Sequence, residues 1–241
     1  APQGGRWQAV VCIASGPSLT QADVEKVHRW RQEAQQEETR AVIVTNTSFR
    51  TAPWADALFA MDRDWWRIYL KEVQQVFQGE LYTTATQAGG PQYIPSGNLG
   101  SPGNSGAGAI LLANYYGARR GALLGFDCHK IGGSHHHGDH PRDLGNAGSL
   151  LKWPKQFREV AQRITGEWVN CSPGTALKAF QLETRVNFWI LDERNVWFKG
   201  AIEAAARAGH RGHRIQRGEQ AGEGIGFIRC HAIPEVLHRN H

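Results

Sequence analysis

The sequence predicts an α/β fold: a Rossmann-like parallel sheet with helices on both faces. The first observation is that its short apolar runs do not alternate with polar residues, which is typical of strands buried on both faces. The second is that segments with helical spacing separate most of these runs. The third is that loops rich in Gly, Ser, Asn and His follow the runs, where parallel sheets bind ligands. At 241 residues and 41% hydrophobic content, the chain can bury a sizeable core.

The first half of the chain carries three predicted strands. Trp7–Ile13 is apolar and ends in Ala-Ser-Gly-Pro-Ser, which predicts a strand running into a tight loop. Thr20–Gln35 follows with apolar residues at helical spacing. Ala41–Thr45 and Ala57–Met61 are the next strands. Arg63–Phe77 is predicted as a helix, because its aromatic residues fall on one face.

The second half continues the same alternation around two long loops. Residues 78–103 are predicted as a loop that contains one short strand near Leu81–Thr84. A buried helix at Asn104–Tyr116 and a strand at Gly121–Gly125 follow, and residues 129–149 form the second loop. The remaining predicted elements are the helix Lys152–Ile164, the strand Trp168–Cys171 and a last turn at Thr175–Phe180.

Residues 182–241 are predicted to form a second small α/β module, so that the first domain spans residues 1–181. Val186–Leu191 resembles a strand and Val196–Ala208 a helix, a βαβ-like beginning of another Rossmann-like domain. The 57 residues from 185 to 241 are too few for a complete domain of that kind. We therefore expect the module to dock on the first domain or to mediate oligomerisation.

Bulk properties exclude several classes of protein. The net charge of +5 suits an anionic ligand, although it is weak support by itself. The four cysteines lie far apart and form no CxxC pair, which argues against a disulfide framework and a cysteine-type zinc site. The apolar runs are too short to span a membrane, and no signal peptide is visible. We expect a cytoplasmic protein, in a bacterium or a phage-infected cell, with no membrane partner.

Polar residues at the predicted strand ends indicate a nucleotide-type site. Glycine in Ser15–Ser18 allows close approach of the backbone to a ligand, and the helix that follows presents N–H groups to an anion. Asn46 can read a base or ribose through its amide, or form an Asx-turn with its own backbone. Asp62 suits a metal, a ribose hydroxyl or a helix cap. Asn104–Gly106 opens the small-residue helix, which favours a phosphate.

The loop after Asp127 is dense in histidine. Imidazole titrates near neutrality and suits general acid–base chemistry or phosphate contact. A metal site and a solvated loop are the alternatives, and no metal ligand is predicted. The predicted catalytic residues are His135, His137, His140 and Asp127, and the predicted nucleotide contacts are Ser15, Gly16, Pro17, Ser18, Asn46, Thr47, Asp62, Asn104, Ser105 and Gly106.

These motifs together resemble a Rossmann-like superfamily. The stretches Val11–Leu19, Val44–Phe49, Trp54–Asp62, Gly103–Gly117 and Ala122–Asp127 occur in the order found in the bacterial sialyltransferases that use CMP-sialic acid. The same superfamily includes uncharacterised proteins related to hydroxymethylpterin diphosphokinases. The chain is most similar to phage-encoded members of that group.

The resemblance implies where a nucleotide would lie. Ser15, Gly16, Ser18 and Asn46 would line the nucleotide pocket, and residues 104–106 would contact phosphate or ribose. A histidine among residues 135–137 or at position 140 would be the catalytic base. Ser15 stands where the sialyltransferases commonly have Asn. The resemblance covers roughly residues 8–180, and residues 185–241 are not covered.

The expected function is transfer from a nucleotide-activated donor, most often a nucleotide sugar, by a glycosyltransferase-like enzyme. The acceptor would be modified DNA, which makes nucleic acid a candidate partner, or a glycan. One alternative is diphosphate transfer to a pterin-like alcohol, which would need Mg²⁺ at Asp62 or Asp127. The others are metal-dependent hydrolysis at the histidine loop and a non-catalytic binding or assembly module.

Overall fold

The computed structural model describes residues 5–34, 39–129 and 150–183. The histidine-rich loop from residue 130 onwards lies outside the described residues, and with it the predicted catalytic residues His135, His137 and His140. Nearly all of the predicted C-terminal module lies outside them too. Its βαβ-like character, its role in oligomerisation and the boundary at residue 181 therefore stay predictions.

The described residues form one sheet of eight strands, and every neighbouring pair is parallel. The order across the sheet is β5-β4-β3-β2-β1-β6-β7-β8. This confirms the predicted α/β class with a Rossmann-like parallel sheet. The strands are β1 Ala9–Ile13, β2 Arg40–Thr45, β3 Ala57–Phe59, β4 Glu80–Thr83, β5 Gln92–Tyr93, β6 Arg120–Leu124, β7 Glu167–Asn170 and β8 Gln181–Leu182.

Helices cover both faces of the sheet, as predicted. They are α1 Gln21–Gln32, α2 Arg63–Val76, α3 Ser96–Leu99, α4 Ser105–Tyr115 and α5 Trp153–Ala161, with 3-10 turns at Asn46–Arg50 and Leu150–Lys152. The buried side chains of α1 and α2 share a core with Val11 and Ile13 of β1. Those of α4 and α5 share the opposite core with Val10 and Cys12. Adjacent residues of β1 thus enter different cores, which explains why this strand is apolar throughout.

The strand order contains a topological switch between β1 and β6. From β1 the chain builds outward through β2, β3 and β4 to β5, and α4 then returns it to β6 on the other side of β1. The two central strands are in register, with Ile13 opposite Leu124 at their carboxyl ends. Open α/β sheets bind their ligands outside the carboxyl ends of the strands at such a switch point.

The structure differs from the prediction in segments that have no clear hydrophobic periodicity. Residues 78–103 contain β5 and the short helix α3 in addition to the predicted strand, which the structure places at Glu80–Thr83. A two-residue strand, β8, follows at residues 181–182 across the predicted domain boundary. Both added strands are exposed edge strands stabilised by one neighbour, so they have little sequence signature. No helix among the described residues is long and apolar enough to cross a membrane.

Candidate functional site

The loops that leave β1 and β6 meet at the switch point. The N–H of Gly16 donates to the carbonyl of Gly125 over 2.9 Å. A Cβ atom on Gly16 would lie 1.9 Å from Oδ2 of Asp127 and 2.4 Å from the Gly125 oxygen. Only glycine therefore fits, but the group that approaches it is part of the protein. We call the meeting of residues 15–18 with residues 125–129 the switch-point site.

A buried carboxylate lies at the centre of the switch-point site. Asp127 is 2% exposed. The Ser18 hydroxyl donates to its Oδ2 over 2.9 Å, and the Ser18 N–H approaches the same oxygen at 3.4 Å. Within the part of the chain that the structure describes, Oδ1 has no hydrogen-bond partner. The imidazole of His129 lies close by, with its Nε2 4.0 Å from Oδ1.

Three buried polar residues, one at the end of β7 and two just after it, fix the backbone of Phe126 and Asp127. Ser172 Oγ accepts from the N–H of Phe126 over 2.8 Å. Thr175 Oγ1 donates over 2.7 Å to the carbonyl of Phe126, which Asn170 Nδ2 also approaches at 3.2 Å. The N–H of Ala176 donates to the carbonyl of Asp127. We call Asn170, Ser172 and Thr175 the β7 clasp.

The backbone after β6 turns sharply to reach this position. Gly125 has φ +70° and Cys128 has φ +56°, both in the left-handed region. For a cysteine this conformation costs energy, and such strain is concentrated at functional sites. Burial, reinforced by the charge of Asp127, raises the pKa of the Cys128 thiol to about 12. Cys128 is therefore a neutral thiol near neutral pH and not an activated nucleophile.

The Ser15–Ser18 loop does not present the row of vacant donors that its sequence indicated. Its Ser18 N–H and hydroxyl point to Asp127. The first turn of α1 is also satisfied, because Thr20 Oγ1 accepts from the Asp23 N–H and Asp23 adds a negative charge there. A phosphate would meet carboxylates on both sides of this loop. The geometry favours an uncharged part of a ligand here.

The start of α4 is better suited to an anion. Asn104 caps the helix through the Ala107 N–H, and the N–H groups of Ser105 and Gly106 have no intrahelical partner. The first turn of α4 contains no acidic residue, in contrast to the first turns of α1 and α2. Ser105 Oγ accepts from the Met61 N–H over 3.1 Å, which joins this helix end to the carboxyl end of β3.

The same helix end also contacts the loop after β6. A Cβ atom on Gly106 would lie 3.0 Å from the Phe126 ring. Phe126 directly precedes Asp127, so the start of α4 and the switch-point site are neighbours. The predicted residues in the segments 16–18, 104–106 and 127 therefore belong to one continuous edge of the sheet.

Asn46 and Thr47 lie at the carboxyl end of β2, in a 3-10 turn. Asn46 has φ +48°, a left-handed conformation that Asn tolerates better than other side chains. Its Oδ1 is buried and has no hydrogen-bond partner among the described residues. Thr47 is 1% exposed, so its side chain belongs to the interior. Asn46 is thus the better ligand contact of the two.

Asp62 precedes α2 as its N-cap residue but makes no side-chain capping hydrogen bond. The residue is exposed at the end of β3. Partial desolvation of the Asp62 carboxylate raises the pKa of this group above its ordinary value of 3.8, and the charge of Asp64 adds to the effect. A cation or a hydroxyl donor would stabilise this carboxylate. Within residues 5–34, 39–129 and 150–183, no group of three potential metal ligands occurs.

The β7 clasp was not predicted from the sequence, and His129 had no separate predicted role. Asn170 carries the signal that singled out Asn46, an amide at the end of a strand. The roles of Ser172 and Thr175 become clear only in the three-dimensional structure, in which β7 lies next to β6. The interior position of these residues shows that they hold the site in place and do not contact a ligand.

A separate cleft of about 680 Å³ opens at the opposite, amino edge of the sheet. Its lining includes Arg31 and Asp56, which form a two-pronged ion pair with both contacts at 2.8 Å. It also includes Arg6 and Glu80, paired at 2.8 Å. These charges neutralise each other, and none of the predicted site residues lines this cleft.

The candidate site is therefore the carboxyl edge of the sheet, from the end of β3 across the switch point to β7. It combines a buried carboxylate, a helix start without acidic residues and an orphaned amide oxygen. Comparisons with protein-family models, with curated proteins and with solved structures found no match for this chain.

Proposed function

We propose that the chain is a transferase that uses a nucleotide-activated donor, with the donor bound along the carboxyl edge of the sheet. The observation that carries this proposal is the contact of the loops after β1 and β6 at the topological switch point, around the buried Asp127. Ligands of doubly wound sheets bind at this location. The resemblance to nucleotide-dependent transferases supports the same reaction class.

The arrangement of polar groups gives the donor an orientation. Its phosphates lie at the start of α4, where the Ser105 and Gly106 N–H groups and the helix dipole favour negative charge. The base or ribose reaches Asn46, whose Oδ1 needs a hydrogen-bond donor. The transferred group is then directed toward Asp127. A glycosyl group is the first candidate, with DNA or a glycan as acceptor.

A nucleotide panel tests the proposal. The full chain is screened by thermal shift against CMP, UDP, GDP, ADP, dTDP and their sugar conjugates, with and without Mg²⁺. A ligand that binds the native state raises the melting temperature by mass action. One nucleotide family should stabilise the protein at low concentration. If no nucleotide shifts the melting temperature, the proposal is wrong and the binding-module alternative gains support.

Asn46→Gly separates ligand contact from folding. Glycine adopts the left-handed φ of this position without strain, so the variant loses the amide but keeps the turn. Affinity for the nucleotide found in the screen should fall about tenfold, the effect of one lost hydrogen bond to a buried group. Thr86→Val is the control, because Thr86 is exposed in the loop after β4. Equal affinities in both variants would contradict the proposed orientation.

Magnesium-dependent diphosphate transfer is the second candidate, and Asp62 is the observation that favours it. Its carboxylate has a raised pKa and makes no cap hydrogen bond, so it would gain from a divalent cation. In this case only a nucleoside triphosphate with Mg²⁺ should shift the melting temperature. Asp62→Asn should abolish this shift, because the variant loses the carboxylate that would hold the cation.

A further inference from the structure

The helix α5 has two sides of opposite character. Its apolar side, with Phe157 and Val160, is buried in the core. Its other side carries the exposed Lys155 and Arg158, and the exposed Lys152 directly precedes the helix. We call Lys152, Lys155 and Arg158 the α5 basic row. Residues three apart on a helix are neighbours, with about 5–6 Å between their Cβ atoms, so the three cations are adjacent.

The positive charges of the α5 basic row are poorly neutralised. Lys152 and Arg158 have no acidic partner within the part of the chain that the structure describes. Nζ of Lys155 lies 3.9 Å from Oε1 of Glu159, but the two side chains are 77% and 46% exposed. Solvent screens such a pair, so Lys155 stays available to a stronger anionic partner. The row therefore suits a partner with repeated negative charge.

The chemistry of this surface favours nucleic acid over a protein or a membrane. A specific protein interface has an apolar core, whereas α5 exposes no large apolar side chain between Trp153 and Ala161. A helix that binds a membrane surface inserts its apolar side into the lipid, and that side of α5 is buried in the core. Nucleic acid presents phosphates at regular intervals, which lysine and arginine neutralise.

The α5 basic row lies beside the candidate site. In the middle of the helix, Gln156 Oε1 accepts from Asn104 Nδ2 over 2.8 Å. The Phe157 ring packs edge-on against the Phe126 ring, with 5.8 Å between the ring centres. These contacts join α5 to the residue that caps α4 and to the loop after β6. Nucleic acid held by the row would therefore lie next to the proposed donor.

We propose that the α5 basic row binds the phosphate backbone of nucleic acid. The inference rests on the proposed transferase function in one respect, because it makes nucleic acid, instead of a glycan, the acceptor of that reaction. The binding itself requires no nucleotide donor. Phosphate contacts carry no sequence information, so the affinity should be similar for DNA of different base sequences.

Fluorescence anisotropy of the full chain with a labelled DNA duplex, at several salt concentrations, measures this binding. For duplex DNA, each neutralised phosphate adds about −0.9 to the slope of the logarithm of the binding constant against the logarithm of the salt concentration. Lys155→Gln combined with Arg158→Gln should weaken binding and make the slope less steep by about 2, and each single change by about 1. Both side chains are exposed, so the variants should fold, which their melting temperatures check.

Arg29→Gln combined with Lys71→Gln is the matched control. Both residues are exposed, on α1 and α2, which pack on the opposite face of the sheet. This control removes the same charges as the test variant, one arginine and one lysine, and should keep the wild-type slope. Equal losses in the two double variants would show that DNA responds only to net charge. That result, or a wild-type chain that binds no DNA, would overturn the proposal.

A glycan partner is tested with hyaluronate, a linear anionic polysaccharide. It should compete with the labelled duplex much less effectively than unlabelled DNA does. Equal competition would refute the preference for nucleic acid. The DNA titration and the nucleotide screen can fail separately: a chain that binds a nucleotide but no DNA refutes this inference and leaves the transferase proposal in place, and the reverse result refutes only the transferase proposal.

Discussion

At the scale of single residues, Gly16 sets how closely the two central loops approach. Its Cα packs against the Asp127 carboxylate and the Gly125 carbonyl, and no side chain fits between them. The Ser-Gly-Pro-Ser motif predicted a glycine that lets the backbone approach a ligand closely. The sequence did not show that the approaching group is an aspartate of the same chain.

Gly16→Ala should lower the free energy of unfolding by about 1–3 kcal/mol, the usual cost of forcing a methyl group into a packed site. The added Cβ would lie 1.9 Å from Asp127 Oδ2 and 2.4 Å from a backbone oxygen, which cannot simply rotate away. Urea unfolding measures the loss. Gly97→Ala is the control, because nothing lies within 4 Å of its added Cβ. Equal stabilities of the two variants would show that the loops separate at little cost.

At the scale of elements, the segment after β7 positions the site without belonging to its surface. The β7 clasp satisfies the Phe126 N–H and carbonyl and the Asp127 carbonyl with buried groups. The strand β7 was predicted, but its supporting role was not. Its partners lie 44 to 49 residues away along the chain, and only the pairing of β6 with β7 brings them together.

Thr175→Val should destabilise the protein by about 1–3 kcal/mol, because it leaves buried polar groups unsatisfied while preserving side-chain volume. The hydroxyl donates to the Phe126 carbonyl and accepts from the Leu177 N–H. Thermal and urea unfolding measure the effect. The same change at exposed Thr86 should stay within about 0.5 kcal/mol.

At the scale of the whole molecule, the site and the charged cleft occupy opposite edges of the sheet. At the amino edge, Arg6 connects the beginning of the chain to β4 by pairing with Glu80 and donating to the Tyr82 hydroxyl. The Arg6 guanidinium also lies 5.1 Å from the centres of the Trp7 and Tyr116 rings. These contacts stabilise the edge of the sheet that does not carry the site.

The ion pair between Arg6 and Glu80 at this edge should make the stability of the protein sensitive to acid. The hydrogen bond from Arg6 lowers the pKa of Glu80 below its ordinary value of 4.5. The carboxylate of Glu80 therefore binds a proton more readily in the unfolded chain than in the folded one. The ion pair's contribution to stability is present above pH 4.5 and is lost as the pH falls through the pKa of Glu80 in the folded protein. Glu80→Gln should be less stable than wild type at neutral pH and equally stable in strong acid.

Urea unfolding across the pH range measures this difference. The pair is partly exposed, with 44% and 39% of the two side chains accessible, so solvent screening keeps the effect small. Glu33→Gln, at an exposed position beyond α1, serves as the control. A difference between wild type and Glu80→Gln that does not change with pH would contradict the ion-pair explanation.

The sequence by itself determined the fold class and the edge of the sheet where polar residues gather. Apolar runs such as Val10–Ile13 and Val42–Val44 predict strands buried on both faces, because only a parallel sheet covered by helices hides every side chain. The polar residues that follow such strands must then share one edge. The fold class and this edge follow from the pattern of apolar and polar residues within short segments. They can therefore be predicted without knowing which distant residues are in contact.

Only the tertiary structure decided the strand order, and with it the environment of the site. The switch between β1 and β6 brings Ser18 next to Asp127, which lies 109 residues away in the sequence. The N–H and hydroxyl of Ser18 therefore face the Asp127 carboxylate, whereas the sequence motif had predicted that such groups would bind a phosphate. It also leaves Oδ1 facing His129. The order of the strands determines which polar groups come into contact. Short-range sequence patterns do not reveal that order, because it depends on contacts between residues far apart in the sequence.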